Sequence, residues 1–99
     1  MLKTYDGKPV SANKVWVYVI GSPMIPDAVK IGITNNILQR LKQHQTGNPF
    51  PLCVIASIGP FHKEQAKKLE TQLLQAQTVV SGEWVKCKFA EGYKVLLNQ

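Results

Sequence analysis

Two apolar runs near the start of the chain predict a pair of neighbouring β-strands. Residues 15–20 read Val-Trp-Val-Tyr-Val-Ile, and residues 28–33 read Ala-Val-Lys-Ile-Gly-Ile. β-branched and aromatic side chains favour the pleated, half-buried surface of a sheet. The segment between them contains one glycine and two prolines, which interrupt regular structure. We therefore expect a hairpin with a long loop.

The alternation along this hairpin predicts which side chains share a face. One face is apolar and is expected to join the core; it comprises Val15, Val17, Val19, Val29, Ile31 and Ile33. The opposite face then carries Tyr18 and Lys30. On this reasoning the two are cross-strand neighbours, with Cβ atoms about 5 Å apart.

The rest of the chain alternates between helical and strand patterns. Thr34, Asn35 and Asn36 are candidate N-caps for the helix that follows. The predicted elements are a helix over 37–45, a strand over 52–58, a helix over 62–77, a strand over 83–89 and a helix over 90–97. Residues 1–13 are expected to form a polar arm with at most a short strand. The order predicts one mixed α/β or α+β domain over 1–99, with a core at about 15–89.

Composition narrows the class of protein. The chain has 99 residues, of which 44% are hydrophobic, enough for one domain with its own core. It has no apolar run long enough to cross a bilayer and no pattern typical of a signal peptide. We therefore expect a protein without membrane contact in the cytoplasm of a bacterial or phage-infected cell. Cys53 and Cys87 lie in strand-like runs and are expected to be buried, inert thiols.

The charge of the chain indicates an anionic partner. Twelve Lys and Arg residues against six Asp and Glu leave a net charge of +6. A basic domain attracts polyanions, because contacts with phosphates release counterions. Arg40 is the single arginine in the sequence. Its planar guanidinium can bind one phosphate through two hydrogen bonds, which a lysine cannot do.

Several short strings, taken in order, resemble a known family. They are Tyr18, residues 30–34 (Lys-Ile-Gly-Ile-Thr), Arg40, residues 45–49 (Gln-Thr-Gly-Asn-Pro), residues 69–70 (Leu-Glu) and residues 82–84 (Gly-Glu-Trp). This combination resembles the GIY-YIG nuclease superfamily, in particular the branch with KIG in place of YIG, often labelled meiotically up-regulated gene 113. The resemblance covers about residues 15–86.

The resemblance implies a fold and a chemistry. The family has a three-stranded antiparallel sheet flanked by helices, and it cuts phosphodiesters with one divalent ion, Mg²⁺ or Mn²⁺. By position, Tyr18 would help to activate water, with Lys30 beside it favouring the phenolate. Arg40 would stabilise charge on the scissile phosphate, and Glu70 would hold the metal. These four residues are the catalytic candidates.

Three further positions are candidates for binding substrate. Gly32 matches the motif glycine, where a missing side chain would let a phosphate or a strand approach. Thr34 follows it in the motif. His44 is included with them, although the sequence offers no partner for it. Glu83 is expected to tie down a loop, with a direct role in metal binding as the less favoured alternative.

The sequence leaves three functions open. The first is a metal-dependent endonuclease acting on DNA, with RNA as the alternative substrate. The second is a nucleic-acid-binding module without cleavage, which Leu74 favours because relatives of this branch commonly have His four residues after the helix glutamate. The third is a protein-interaction factor that reuses the scaffold. Glu70 could also form an ordinary helix salt bridge with Lys67. Substrate preference, oligomeric state and any partner that supplies specificity stay open.

Overall fold

A computed structural model describes residues 14–97 of the chain. The expected polar arm over residues 1–13 lies outside this range. Within it, the elements in chain order are β1 (Lys14–Gly21), β2 (Ala28–Thr34), α1 (Ile37–Gln45), β3 (Cys53–His62), α2 (Lys63–Gln75), β4 (Val79–Ser81), β5 (Trp84–Lys86) and a C-terminal 3-10 helix (Phe89–Leu96).

The sheet has five strands in the order β3-β1-β2-β5-β4, and every neighbouring pair is antiparallel. The expectation of a three-stranded sheet is therefore wrong, whereas the mixed α+β class is correct. The extra width comes from β5, which pairs Val85 with Val29 of β2, and from β4, which folds back on β5. Gly82 has φ of 56° in the turn between them, a conformation that glycine adopts without strain. The short β4 was missed because its three exposed residues show no alternation.

The predicted apolar face of the hairpin forms the centre of the core. Val17, Val19, Val29 and Ile31 are completely buried, and Ile33 packs at the edge of the same cluster. Helix α2 covers this face through Ala66 and Leu73, which belong to that cluster. The prediction of a shared core face is confirmed.

The register of the hairpin differs from the prediction. Tyr18 lies opposite Gly32, and Lys30 lies opposite Ile20. Tyr18 and Lys30 do share the predicted face, but they are diagonal rather than direct neighbours. The alternation fixes the face of each residue because it has a period of two. A shift of the pairing by two residues preserves every face, so the pattern could not detect it.

Helix α1 has the predicted bounds. The Oδ1 atom of Asn36 accepts a hydrogen bond from the backbone N–H of Gln39 at 3.2 Å, as an N-cap residue should. The next strand is longer than predicted. β3 passes through Gly59 and Pro60 to His62, with irregular pairing to β1 between Val15 and Val17.

Two smaller expectations also change. The final helix is a 3-10 helix rather than an α-helix. Cys53 is exposed and Cys87 is half-buried, so the expectation of buried thiols is wrong for Cys53; both thiols are free. Cys53 is the first residue of β3, where its side chain lies outside the core. Among residues 14–97, no helix is long and apolar enough to cross a membrane.

One pair of substitutions tests the five-stranded sheet. Val85 on β5 is completely buried, whereas Val80 on β4 is 61% exposed. Val85→Ala should lower the free energy of unfolding by about 2 kcal/mol, because it removes buried methyl groups and leaves a cavity. The same change at Val80 should alter it by less than about 0.5 kcal/mol. Urea titration followed by circular dichroism measures both, and equal effects would contradict the position of β5 in the sheet.

Candidate active site

Tyr18 projects from β1 on the face opposite the core and is completely buried. Its phenol ring lies across Gly32 of β2. A Cβ atom at position 32 would come within 2.6 Å of Cζ of Tyr18 and 3.0 Å of Oε1 of Glu83. The glycine therefore makes room for the tyrosine. The space that the sequence suggested for a substrate phosphate at Gly32 is filled by the phenol.

Helix α1 supplies two partners for the Tyr18 hydroxyl. Arg40 and His44 are four residues apart, so both side chains project from one side of the helix. The Nε2 atom of His44 lies 3.0 Å from the hydroxyl oxygen. The Nε atom of Arg40 donates to the same oxygen at 3.4 Å. His44, which had no partner in the sequence, is thus a direct neighbour of the predicted catalytic tyrosine.

His44 also connects Tyr18 with Lys30. The Nζ atom of Lys30 lies 3.2 Å from Nδ1 of the imidazole. An ammonium group can only donate, so Nδ1 accepts and the proton of the neutral ring is on Nε2, where it is donated to Tyr18. Burial lowers the pKa of His44, and the charges of Lys30 and Arg40 lower it further, which keeps the ring neutral.

Glu83 completes the cluster from the turn before β5. The Tyr18 hydroxyl donates to Oε1 of Glu83 at 3.4 Å, and Nη2 of Arg40 lies 3.7 Å from Oε2. The backbone carbonyl of Glu83 accepts a hydrogen bond from the N–H of Ile31, which ties the turn to β2. The sequence favoured a structural role for Glu83 over a direct role in metal binding, and it did not predict the contact with Tyr18. The sequence feature that could have indicated a role in the site is the position of Glu83 in the Gly-Glu-Trp string, which contributes to the family resemblance.

The electrostatics of Tyr18 differ from the expectation. Burial raises the pKa of its phenol to about 12, and the negative charge of Glu83 acts in the same direction. Arg40 opposes this shift but does not overcome it. A cation near the phenol was expected to favour the phenolate, yet the resting group is a neutral phenol that donates to a carboxylate. The expectation failed because burial cannot be judged from neighbouring charges.

Glu70 lies on α2, which packs on the face of the sheet opposite the Tyr18 cluster. Burial raises the pKa of its carboxyl group, and the negative charge of Glu83 raises it further, whereas Arg40 and Lys67 lower it. Glu70 is thus close enough to Arg40 and Glu83 to feel their charges. Within residues 14–97 its carboxylate makes no hydrogen bond or ion pair, so the salt bridge with Lys67 is not formed.

Two open pockets flank the cluster. One, of about 420 Å³, is lined by Lys30 and His44 together with Trp84 and the loop that follows α1. The other, of about 320 Å³, is lined by Arg40, Thr34 and Lys63 among others. The Thr34 hydroxyl accepts from the N–H of Asn36 and donates to its carbonyl, so it also holds the turn into α1.

The arrangement as a whole brings most of the candidates together. One hydrogen-bonded cluster contains four of the candidates together with Glu83: Tyr18, Lys30, Arg40 and His44. Glu70 lies within electrostatic range without contact, and Gly32 and Thr34 support the cluster from β2. Among residues 14–97, no group of three or more His, Cys, Asp or Glu side chains is arranged to hold a metal ion.

Comparison with known proteins agrees with the resemblance at a coarser level. The family model of the T5orf172 domain matches residues 15–97. That family is related to nucleases of the GIY-YIG or HNH kind. No curated protein and no solved structure matches the chain significantly.

The protonation of Tyr18 can be measured directly. We expect its phenol to titrate at about pH 12 rather than near 10. Between these values the unfolded chain loses a proton that the folded chain keeps, so the stability of the fold should fall as the pH rises above 10. NMR of tyrosine labelled with ¹³C at Cζ follows the ionisation, and Tyr18→Phe assigns the signal. A midpoint at or below 10 would mean that Arg40 outweighs burial.

Proposed function

The chain belongs to the T5orf172 domain family, which is nuclease-related, and we propose that it is a metal-dependent endonuclease that hydrolyses phosphodiester bonds in DNA or RNA. The observation that carries the proposal is the cluster around one phenolic oxygen. His44, Arg40 and Glu83 all lie within 3.4 Å of the Tyr18 hydroxyl. The sequence strings of the KIG-type branch support the same assignment.

The charge around the cluster suits a polynucleotide. Lys30 lies in the pocket on one side, and Arg40 and Lys63 lie in the pocket on the other. A strand that crosses the cluster would therefore meet cations on both sides of its scissile phosphate. Such contacts give binding that weakens as salt rises.

Arg40 is held in a way that allows it to turn to the substrate. Its contacts with Tyr18 and Glu83, at 3.4 and 3.7 Å, are long for charge-assisted interactions. A shorter hydrogen bond, from Nη1 to Oε1 of Gln43 at 3.1 Å, is made to an exposed neutral side chain on the same helix. The Arg40 side chain is 37% exposed. When a phosphate arrives, the guanidinium exchanges these contacts for two phosphate oxygens and stabilises the charge that develops there.

Departure of Arg40 leaves Tyr18 ready to accept a proton. One lone pair of the hydroxyl oxygen becomes free, while its own proton still points to Glu83. As water attacks phosphorus, its proton passes to the Tyr18 oxygen and the phenolic proton passes to the Glu83 carboxylate. The phenolate, which burial disfavours, is thus avoided. The net change is one P–O bond formed, one broken, and one proton moved to Glu83.

Lys30 and His44 hold the phenol in place for this transfer. Lys30 donates to Nδ1 of His44, which fixes the Nε2 proton toward Tyr18. The lowered pKa of His44 keeps the ring from becoming a second cation beside Lys30. Both residues therefore position Tyr18, and Lys30 also faces the neighbouring pocket, where it can meet a phosphate.

Glu70 fits the role of metal ligand that the resemblance gives it. It is a carboxylate without a hydrogen bond or ion pair in the described part of the chain, and its pKa is raised by burial and by a second carboxylate nearby. Mg²⁺ is commonly held by one or two carboxylates, with water and phosphate oxygens completing its shell. A bound divalent ion would polarise the phosphate and neutralise the leaving oxygen.

Binding without cleavage is a second candidate function. Leu74 stands where relatives commonly have a histidine, and here it packs against the core instead of offering a ligand. Glu70 is then left to hold an ion with less help from α2. The cationic pockets would be kept in such a protein, and the metal requirement would be lost.

Two substitutions test the nuclease. Arg40→Ala and Glu70→Gln should each lower cleavage of DNA or RNA at least about 100-fold in Mg²⁺ or Mn²⁺, because they remove charge stabilisation and the metal ligand. Lys42→Ala on α1 and Glu64→Gln on α2 are controls on the same helices and should stay active. Gel assays on single-stranded, duplex and branched substrates measure this. If wild type cuts none of them with either ion, the endonuclease proposal fails.

Glu83→Gln tests the proton path. An amide keeps the size of the side chain but cannot take up the proton, so cleavage should slow about 100-fold. Because the charge of Glu83 raises the pKa of Tyr18, that pKa should fall in the variant. Nucleic-acid affinity should be kept or increase, since Arg40 is released. Glu91→Gln, on the C-terminal helix, is the matched control. Normal cleavage in Glu83→Gln would remove Glu83 from the mechanism.

A further inference from the structure

The pocket beside Lys30 and His44 has features that phosphate binding does not require. Besides these two polar residues, its lining includes the aromatic residues Trp84 and Phe50 and the loop residues from Thr46 to Pro49. Its volume is about 420 Å³. Phosphates have no apolar surface to place against aromatic rings, whereas every nucleobase has a flat face that stacks on them.

We propose that this pocket binds one unpaired nucleobase of the substrate strand, next to the phosphate that Arg40 contacts. The proposal rests on the proposed function for its choice of ligand. Lys30 and His44 belong both to the pocket and to the hydrogen-bonded cluster. An occupant of the pocket is therefore adjacent to the phosphate site, and the group adjacent to a phosphate in a polynucleotide is a nucleoside.

The wall of the pocket is fixed by a hydrogen-bond network that centres on Gln45. Its Nε2 donates to the carbonyls of Asn48 and Phe50, and its Oε1 accepts from the N–H of Leu52 at 2.7 Å. The Asn48 side chain accepts from the N–H of Phe50 at 2.9 Å. The loop after α1 is thus held by hydrogen bonds between the side chains of Gln45 and Asn48 and the loop backbone. The Phe50 ring is 38% exposed and is not needed for these bonds. Such a preformed wall costs little to order on binding.

Trp84 forms the floor of the pocket from β5. It packs beside Tyr18 and Ile20, and Nζ of Lys30 lies 5.6 Å from its ring centre. The lysine is therefore placed between the aromatic floor and His44. A base against Trp84 and Phe50 would have its 5′ or 3′ phosphate near this ammonium group. Base and phosphate are recognised together by one short stretch of surface.

The position of the pocket implies that the base is unpaired. In a duplex, the faces of each base are covered by its neighbours, so they cannot contact aromatic side chains in a pocket. A base can enter from a single strand, a loop, a branch or a flipped position. The site therefore selects structure in the nucleic acid, and stacking tolerates every base identity.

Binding to three probes of equal length tests the proposal: oligothymidylate, a chain of abasic deoxyribose phosphates, and a duplex. Divalent ions are removed so that cleavage does not interfere, and fluorescence anisotropy gives the affinities. The two single chains carry the same charge and differ only in their bases. Wild type should bind oligothymidylate about tenfold more tightly than the abasic chain, the effect of one stacked base.

Substitution of Phe50 links that difference to the pocket. Phe50→Ala should weaken binding of oligothymidylate about tenfold and leave binding of the abasic chain and of the duplex within about twofold. Tyr93→Ala is the matched control, because Tyr93 is an aromatic residue of similar exposure, 42%, on the C-terminal helix. Oligothymidylate should also quench the fluorescence of Trp84, as assigned with Trp84→Phe, and the abasic chain should not.

The outcomes separate this proposal from the nuclease. Equal affinities for the two single chains, or a loss in Phe50→Ala that is the same for both, overturn the base site even if the protein cleaves nucleic acid. A Phe50-dependent preference for oligothymidylate supports the base site even if no substrate is cut with Mg²⁺ or Mn²⁺, in which case the nuclease proposal alone fails.

Discussion

The buried hydroxyl group of Tyr18 is the constraint on which the rest of the site depends. A buried polar group without partners would destabilise the fold, so partners must come from elsewhere in the chain. They come from α1 and from the turn before β5, as far away in sequence as Glu83. The hydrogen bonds that satisfy the Tyr18 hydroxyl also fix the positions of Arg40, His44 and Glu83 relative to one another. Stability and chemical arrangement therefore have a common physical origin in this cluster.

Local patterns predicted the parts of the fold that depend on local physics. The core face of the β1–β2 hairpin follows from alternation, and the start of α1 follows from the Asn36 cap. The pairing of Tyr18 with Gly32 does not, because a shift by two residues keeps the same faces. The outer strand β4 also could not be predicted, since its stability depends on pairing with β5 rather than on burial of its own side chains.

The site also combines features that the sequence predicts with features that depend on tertiary contacts. The alternation of the hairpin placed Tyr18 and Lys30 on one face, and the family resemblance added Arg40. The three side chains do belong to one cluster, with His44 between Tyr18 and Lys30. His44 and Glu83 were undervalued because each acquires its role from a contact with Tyr18, across 26 and 65 residues of chain. The protonation of Tyr18 was expected with the wrong sign, because the cost of burying a charge is a property of the folded surroundings. A sequence shows which side chains can carry a charge, but it does not show how far folding removes each of them from water.

The fit of the Tyr18 ring over Gly32 links two positions that are 14 residues apart in the chain. Any side chain at position 32 would displace the phenol, and a smaller residue at position 18 would leave a void beside the bare strand. Neither position can change alone without losing the geometry around the hydroxyl group. Across related chains, tyrosine at the first position and glycine at the second should therefore be inherited as a pair.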